Sequence, residues 1–229
     1  MKRGVKIGLA AAAVVASVAF IIYWNSPERV YRRELGQLHS YVYSGNDTRL
    51  YELLRRTQAS GDWGQLERSV KDFYKDRFDS IDILKDLQND EELGAALDAE
   101  SLAANGPTFE TIMEKLQKAG EKLKKAREQF EKVASLDDAV AAFANELPDG
   151  FQEKFRSDIA SEFKNQDEIS DISDAFKMMQ GVVDVYTEEL QLLASNPKGW
   201  NTNDNKLTFT DKKLEKKYQD NLEKVKDVK

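Results

Sequence analysis

The 229-residue sequence contains no cysteine, a single histidine and only four prolines. Without cysteine the chain has no disulfide, no thiolate zinc ligand and no cysteine nucleophile. The lone histidine, His39, has no partner nucleophile nearby in the sequence, so no Ser-His-Asp triad is expected. Twelve glycines and few prolines, in a chain rich in Lys, Glu, Asp, Leu and Ala, favour long helices over a turn-rich β fold.

Motifs that hold nucleotides or metals are also missing. The sequence has no Gly-rich phosphate loop, no dinucleotide fingerprint and no paired-histidine helix. Acidic clusters occur at 90–92, 137–138 and 167–174, each near a predicted helix start, where the helix dipole favours carboxylates. The last of them lacks the turn-forming glycine of a calcium loop. We therefore predict helix capping at these clusters, and neither a metal, a cofactor nor an enzymatic activity.

The charge balance restricts the partners. The formal net charge is −7, and residues 1–24 carry +3, which leaves −10 for the remainder. An acidic domain repels nucleic acid and anionic lipid, so neither is expected as its main partner, although a local basic patch can override the average.

Long hydrophobic runs are rare, and the exception lies at the N-terminus. Residues 7–24 form 18 uncharged positions, which as a helix extend about 27 Å, close to the hydrocarbon thickness of a bilayer. We predict a transmembrane anchor over 7–24, preceded by a basic flank over 1–6, with the rest of the chain on the extracytoplasmic side. The alternative is a signal peptide that is cleaved after Ala19, which would release a secreted or periplasmic protein.

A stripe of small residues runs along this segment, with Gly4, Gly8, Ala12 and Ala16 at every fourth position. Such a stripe allows the close approach of a second span and would make the protein a homo-oligomer through its anchor. Alanine-rich apolar segments are also common in export signals, and we favour that interpretation.

Apolar residues at steps of three and four predict helices through most of the remaining chain. Juxtamembrane helices are expected over 26–60. Ser26 is the N-cap of the first and Pro27 its first residue, and its apolar stripe consists of Tyr31, Leu35, Leu38 and Val42. A longer helix follows Gly61. Arg77 interrupts its stripe, and we expect the arginine stem to cover the seam while its head reaches water.

Residues 61–195 are predicted to form the bundle itself, because two stretches carry the spacing of a coiled-coil seam. The first consists of Phe109, Ile112, Leu116, Ala119, Leu123, Ala126, Phe130 and Val133. The second consists of Ile169, Ile172, Phe176, Met179, Val183, Tyr186, Leu190 and Leu193. Two such helices joined by a helical linker predict an all-α fold, an extended antiparallel helical bundle with coiled-coil-like seams.

The end of the chain, residues 196–229, has a different pattern. Trp200, Leu207 and Phe209 flank a polar turn, which predicts either a small β-hairpin near 200–209 or an ordered loop, and Thr210 is expected to cap a final helix. An aromatic loop at the end of a bundle is a candidate surface for docking a partner. The alternative, which we favour, is that these side chains cap the core.

A single anchor, a helical bundle and an aromatic loop before a final helix broadly resemble small bacterial envelope proteins. The anchor, the coiled-coil seams and the missing catalytic motifs predict a single-pass, membrane-anchored scaffold, adaptor or regulatory subunit that works through protein–protein contacts in the cell envelope. The runner-up is a helical binding protein, released by cleavage after Ala19, that holds a ligand between its helices.

Overall fold

The computed structural model describes residues 24–204 and 206–226. This part of the chain is mostly helical, as the sequence predicts, and it contains one two-stranded antiparallel sheet. The predicted anchor over 7–24, apart from Trp24, and the small-residue stripe within it lie outside the described residues. Among the residues that are described, no helix combines the length and apolarity needed to cross a membrane.

Ten α-helices and one hairpin follow one another along the described chain. The first five helices are α1 (Pro27–Ser44), α2 (Asp47–Leu54), α3 (Gly61–Gln88), α4 (Glu91–Gly94) and α5 (Ala99–Asn105). The next four are α6 (Glu110–Glu131), α7 (Leu136–Phe143), α8 (Phe151–Ile159) and α9 (Gln166–Ser195), and a 3-10 turn at Ala160–Phe163 precedes α9. The hairpin strands β1 (Trp200–Asn203) and β2 (Lys206–Phe209) then lead into α10 (Lys212–Lys226).

The chain divides into two units, and each combines two separate segments. Unit 1 contains the residues up to Lys75 together with Ser135–Glu162. Unit 2 contains Asp76–Ala134 together with Phe163–Lys229. The range 61–195, predicted as one bundle, therefore contributes to both units.

The helix boundaries of unit 1 follow the capping signals in the sequence. Ser26 is the N-cap of α1 with Pro27 as its first residue, as predicted. Gly45 ends α1 with φ +65°, a conformation that glycine adopts without strain. The side chain of Asn46 then accepts a hydrogen bond from the backbone N–H of Arg49, which starts α2. Local chemistry is thus sufficient to place the α1–α2 turn.

The core of unit 1 is aromatic. Phe73 is fully buried, and its ring lies 5.1 Å from Tyr74, 6.2 Å from Phe143 and 6.4 Å from Phe155, with each pair edge to face. In the predicted stripe of α1, Tyr31 and Leu38 are buried, whereas Leu35 and Val42 are only half-buried. Glu34 is buried next to Leu35, because Glu34 joins a buried network of charges described below.

The core of unit 2 is the pair formed by α6 and α9. All eight residues of the first predicted seam are buried, from Phe109 to Val133. Five residues of the second seam are buried as well, whereas Ile172, Met179 and Tyr186 are half-buried. Gly120 of α6 lies against Val183 of α9, and Phe130, further along α6, lies 5.6 Å from Phe176, which precedes Val183. The two helices are therefore antiparallel.

The predicted hairpin is confirmed. Trp200 pairs with Phe209 and Asn203 with Lys206 across the antiparallel strands, and both strands pack against α5. Thr210 does not cap the last helix. Its hydroxyl donates to the carbonyl of Lys198, and the carboxylate of Asp211 accepts from the backbone of Lys213 and Leu214 instead, because a carboxylate at the N-cap also meets the helix dipole.

The expectation for Arg77 is wrong. The residue is only 6% exposed, and its Nη1 is buried without a hydrogen-bond partner among the described residues. The side chain of the adjacent Ser80 is buried too, and it donates to the Arg77 carbonyl. The guanidinium is therefore enclosed where the helical pattern places an apolar residue.

Candidate functional site

A surface groove of about 700 Å³ runs along the α6–α9 pair of unit 2. Its apolar lining comes from Met113, Leu116 and Val183, with Gly120 between them. Its polar lining consists of Thr108, Glu110, Glu114, Gln117, Gln180, Asp184, Thr187 and Gln191. We call this feature the α6–α9 groove. An apolar floor with a polar rim is the arrangement by which an amphipathic helix is recognised.

Gly120 keeps the floor of the α6–α9 groove low. Glycine in a helix interior costs about 1 kcal/mol relative to alanine, so its place in the middle of α6 requires a reason. A Cβ there would lie 3.5 Å from Val183 Cγ1, an ordinary contact, so packing between the two helices does not demand glycine. The missing side chain instead leaves space in the groove.

The rim of the α6–α9 groove is acidic. Glu110, Glu114 and Asp184 line it, and no lysine or arginine among the residues that the structure describes does so. Lys118 donates a hydrogen bond of 2.5 Å to Glu114, and this bond together with the lysine charge lowers the pKa of the Glu114 carboxyl below its ordinary value. Of the three acidic side chains, Glu114 is therefore paired with Lys118, and Asp184 accepts a hydrogen bond from Gln180.

The predicted aromatic residues are held by contacts inside unit 2. The Trp200 ring stacks on Phe109 with 5.5 Å between ring centres, and its Nε1 donates to the carbonyl of Leu193 at 2.9 Å. Phe209 lies 5.2 Å from Tyr218 of α10. Trp200, Leu207 and Phe209 are all half-buried. These contacts give both rings a packing role, and a docking role for the three residues stays a prediction.

Two residues that lie against the hairpin side chains, Gly106 and Tyr218, are constrained by their surroundings. Gly106 lies beneath Trp200, because a Cβ there would come within 3.1 Å of Trp200 Cη2 and 2.8 Å of the Leu102 carbonyl oxygen. Burial raises the pKa of the Tyr218 hydroxyl well above its usual range, and the Glu189 charge adds to the effect. The phenol therefore stays protonated throughout the physiological range.

Unit 1 contains a buried network of charges that the sequence did not reveal. Lys71 Nζ donates to Glu34 Oε2 at 2.9 Å, to Glu67 Oε1 at 2.6 Å and to the Arg56 carbonyl at 2.9 Å. The three ionic side chains are each at most 5% exposed. All three ammonium protons of Lys71 thus have an acceptor, which is the condition for tolerating a buried charge.

The two carboxylates of this network differ in the number of hydrogen bonds that they accept from groups other than Lys71. Glu67 also accepts from the backbone N–H groups of Gln58 at 3.1 Å and Ala59 at 2.7 Å. Besides Lys71, Glu34 has one partner within the described part of the chain, a long contact of 3.4 Å from the half-exposed Arg56. The i,i+4 spacing of Glu67 and Lys71 is legible in the sequence, whereas the contribution of Glu34, 37 residues away, depends on tertiary structure.

A second polar group in unit 1 joins α1 and α8. The buried hydroxyl of Tyr31 donates to Asp158, which also accepts from Lys154 at 3.1 Å. The Lys154 ammonium lies 5.5 Å from the Tyr31 ring centre and 5.8 Å from that of Trp63. Burial, followed by the bond to Asp158, raises the pKa of the Tyr31 hydroxyl far above its usual value. The tyrosine is therefore held as a neutral donor.

All three acidic clusters lie at helix starts, as predicted, but only the first supplies the capping side chain. Asp90 accepts from the backbone of Glu92 and Leu93, and the cluster at 137–138 follows the N-cap Ser135, which accepts from Asp138. The cluster at 167–174 begins after the N-cap Asn165. Across residues 24–204 and 206–226, no three His, Asp or Glu side chains are arranged to hold a metal ion. His39 lies 6.2 Å from the Tyr74 ring.

Comparison of the chain with protein-family models, with curated proteins and with solved structures gave no match.

Proposed function

We propose that this chain is a single-pass, membrane-anchored helical protein of the cell envelope that works through protein–protein contact, without catalysis, as a scaffold, adaptor or regulatory subunit. The proposed anchor is the apolar segment 7–24, and the proposed contact surface lies on the extracytoplasmic side. The observation that carries the proposal is the α6–α9 groove, with its apolar floor and acidic rim.

The chemistry of the groove points to one kind of occupant, an amphipathic helix of a partner protein with a small apolar face and basic flanks. Met113 offers apolar contact at the surface, Leu116 and Val183 lie buried beneath it, and Gly120 leaves room for a side chain of the partner. Glu110, Glu114 and Asp184 would attract lysine or arginine beside that face. The groove thus supports both the affinity and the orientation of such a helix.

The runner-up, a binding protein with a ligand between its helices, is less well supported. A mostly apolar cavity of unit 2, lined by residues that include Leu87, Leu93, Met179 and Tyr186, has about 110 Å³. Small-molecule sites usually have about 300–1,000 Å³. A small ligand would therefore have to enlarge this cavity.

The test is site-specific photocrosslinking of the full chain in intact membranes. A photoreactive residue at Gln117, on the groove, should give a discrete product with one protein that contains a basic amphipathic helix. The same residue at Glu128, which is exposed on α6 and does not line the groove, should not.

A charge reversal then connects the product to the groove. Glu110→Lys with Asp184→Lys should abolish crosslinking, whereas the matched reversal Glu128→Lys with Asp171→Lys, also on α6 and α9, should leave it unchanged. Equal loss in both variants, or a partner without a basic helix, refutes the groove as the contact surface. A mature chain that begins at Phe20 refutes the anchor.

A further inference from the structure

One side of α1 in unit 1 faces solvent along most of its length. The 18-residue helix buries Tyr31, Glu34 and Leu38 on the other side. The solvent-facing residues recur at steps of three and four, which is the spacing of a single helix face. All four are exposed, and they are Arg33, Gly36, Ser40 and Tyr43. We call these four residues the outer α1 face.

The middle of the outer α1 face is shallow. Glycine is, after proline, the least favourable residue inside a helix, so Gly36 at the centre of α1 requires a reason. A Cβ at Gly36 would meet no atom within 4 Å, so packing within the chain does not demand glycine there. Gly36, with Ser40 one turn later, instead lets the backbone of a second helix approach closely.

The two ends of the outer α1 face carry residue types that often anchor protein interfaces. Tyr43 is 72% exposed, the largest fraction among the large hydrophobic residues that the structure describes, although its hydroxyl lies 3.5 Å from Glu162. Arg33 is exposed as well. Tyrosine and arginine are enriched among the residues that dominate binding energy, and a guanidinium is attracted to the face of a tyrosine ring. The outer α1 face therefore has an anchor at each end.

The outer α1 face is complementary to itself when two copies of α1 run antiparallel. Gly36 and Ser40 lie two residues to either side of position 38, and Arg33 and Tyr43 lie five residues to either side of it. Every residue of a helix adds the same rise, so a two-fold axis at that level brings Gly36 beside the partner's Ser40. The same axis brings Arg33 beside the partner's Tyr43. Each copy then donates one cation–π contact and receives one.

Charge favours this direction over the parallel one. Arg33 lies in the first half of α1, whereas the last turn carries the negative end of the helix dipole. The exposed Asp47 follows that end, at the start of α2. Antiparallel helices bring the Arg33 of each copy towards the negative end of the other, and parallel helices would set the two Arg33 side chains against each other.

From this symmetry we propose that the outer α1 face binds the same face of a second copy of this chain, with the two α1 helices antiparallel. The contact uses one patch on both copies, so it closes as a dimer. An interface limited to one helix pair belongs to the weak class, below about 1,200 Å², so the dimer forms where copies are concentrated. The proposal requires neither the anchor nor the α6–α9 groove, because α1 belongs to unit 1 and the groove to unit 2.

The experiment is cysteine crosslinking in intact cells, for which the chain has no cysteine of its own. Two differently tagged full-length copies are produced together, one with Arg32→Cys and one with Ser44→Cys, both exposed residues beside the outer α1 face. A short bismaleimide should link the mixed pair, because the two positions lie at one level in antiparallel helices. Two copies of the same variant should not be linked, because their cysteines would lie about 18 Å apart along the helices.

The matched control pair is Glu153→Cys with Ser157→Cys, exposed residues of α8 in the same unit, and it should give no product. Adding Gly36→Leu to both copies should lower the yield of the mixed pair about tenfold or more, because the new side chain holds the helices apart. Its space within one chain is open, so the urea midpoint should not fall. Ser157→Leu should leave the yield unchanged. Tyr43→Ala should lower it about two- to fivefold, which gives a second test of the same face.

Three results overturn the proposal. The first is a product from two copies of the same variant and none from the mixed pair, which marks a parallel contact. The second is the absence of any product above that of the α8 control. The third is a mixed product whose yield Gly36→Leu lowers no more than Ser157→Leu does.

Discussion

Replacing Lys71 with methionine should destabilise the protein far more than a surface charge deletion does. The ammonium donates three hydrogen bonds within unit 1, and its loss leaves Glu34 buried with only a 3.4 Å contact from Arg56. Glu67 keeps its bonds from the backbone of Gln58 and Ala59. Breaking a buried ion pair by removing one partner costs about 3–5 kcal/mol, a large share of the 5–15 kcal/mol that holds a typical domain folded.

The matched control is Lys177→Met. Lys177 also bonds a carboxylate on its own helix, Asp174 at 2.8 Å, but both side chains are at least 60% exposed. Exposed pairs contribute about 0–1 kcal/mol. The free energy of unfolding of each full-length variant should be measured by urea titration with far-ultraviolet circular dichroism.

Hydrogen exchange identifies where the stability is lost. Because all of these contacts lie in unit 1, Lys71→Met should accelerate exchange in 27–75 and 135–162 before it affects unit 2. Adding Glu34→Leu removes the stranded carboxylate and should recover about 1–3 kcal/mol, a coupling typical of residues in direct contact. A loss in Lys71→Met no larger than in Lys177→Met, or no recovery in the double variant, would refute the reasoning.

Three further predictions concern single positions. Gly120→Ala should raise the free energy of unfolding, measured by urea titration, by about 0.8–1 kcal/mol. Alanine favours the helix more than glycine does, and its Cβ would lie at an ordinary contact distance of 3.5 Å from Val183 Cγ1. A decrease would mean that the packing of α6 against α9 requires the glycine. Trp200→Phe should lower the free energy of unfolding by about 1 kcal/mol, because the hydrogen bond to the Leu193 carbonyl is lost, and Trp200→Ala should lower it by about 3–5 kcal/mol. Thermal and urea unfolding of the two variants measure the difference. Tyr31 has a raised pKa in the folded state, so the unfolded chain ionises first above the ordinary pKa of 10.0 and stability should fall as the pH rises past it. Tyr31→Phe should reduce that fall in urea midpoints measured between neutral and alkaline pH, and an unchanged slope would contradict this assignment.

The sequence was sufficient to predict those elements that depend on interactions between residues close together in the chain. The seam from Phe109 to Val133 is buried at every predicted position, because a long helix with one apolar stripe has a single way to exclude it from water. The hairpin, the start of α1 at Pro27 and the cap at Asp90 were predicted for the same reason, since turn and helix-start chemistry acts over a few residues.

What the sequence did not reveal depends on groups far apart in the chain. Glu34 is buried in place of Leu35 because Lys71, 37 residues away, meets it. Arg77 is buried, and the residues near it in the sequence do not indicate this burial. The α6–α9 groove also escaped prediction, because it exists only between two paired helices that are separated in the chain by α7 and α8. Its one sequence signal was Gly120, a glycine within an otherwise regular helix.

The interleaving of the two units constrains the order in which the protein can fold. A ribosome that has made residues up to 134 has produced no complete unit, because unit 1 waits for Ser135–Glu162 and unit 2 for Phe163 onward. Until α7 and α8 are made, Phe73 of α3 lacks Phe143 and Phe155, two of the rings that surround it in unit 1. While unit 1 is incomplete, a chaperone would bind the nascent chain in a cell. Arresting translation at successive chain lengths and adding a protease would show at which length the nascent chain becomes resistant to cleavage.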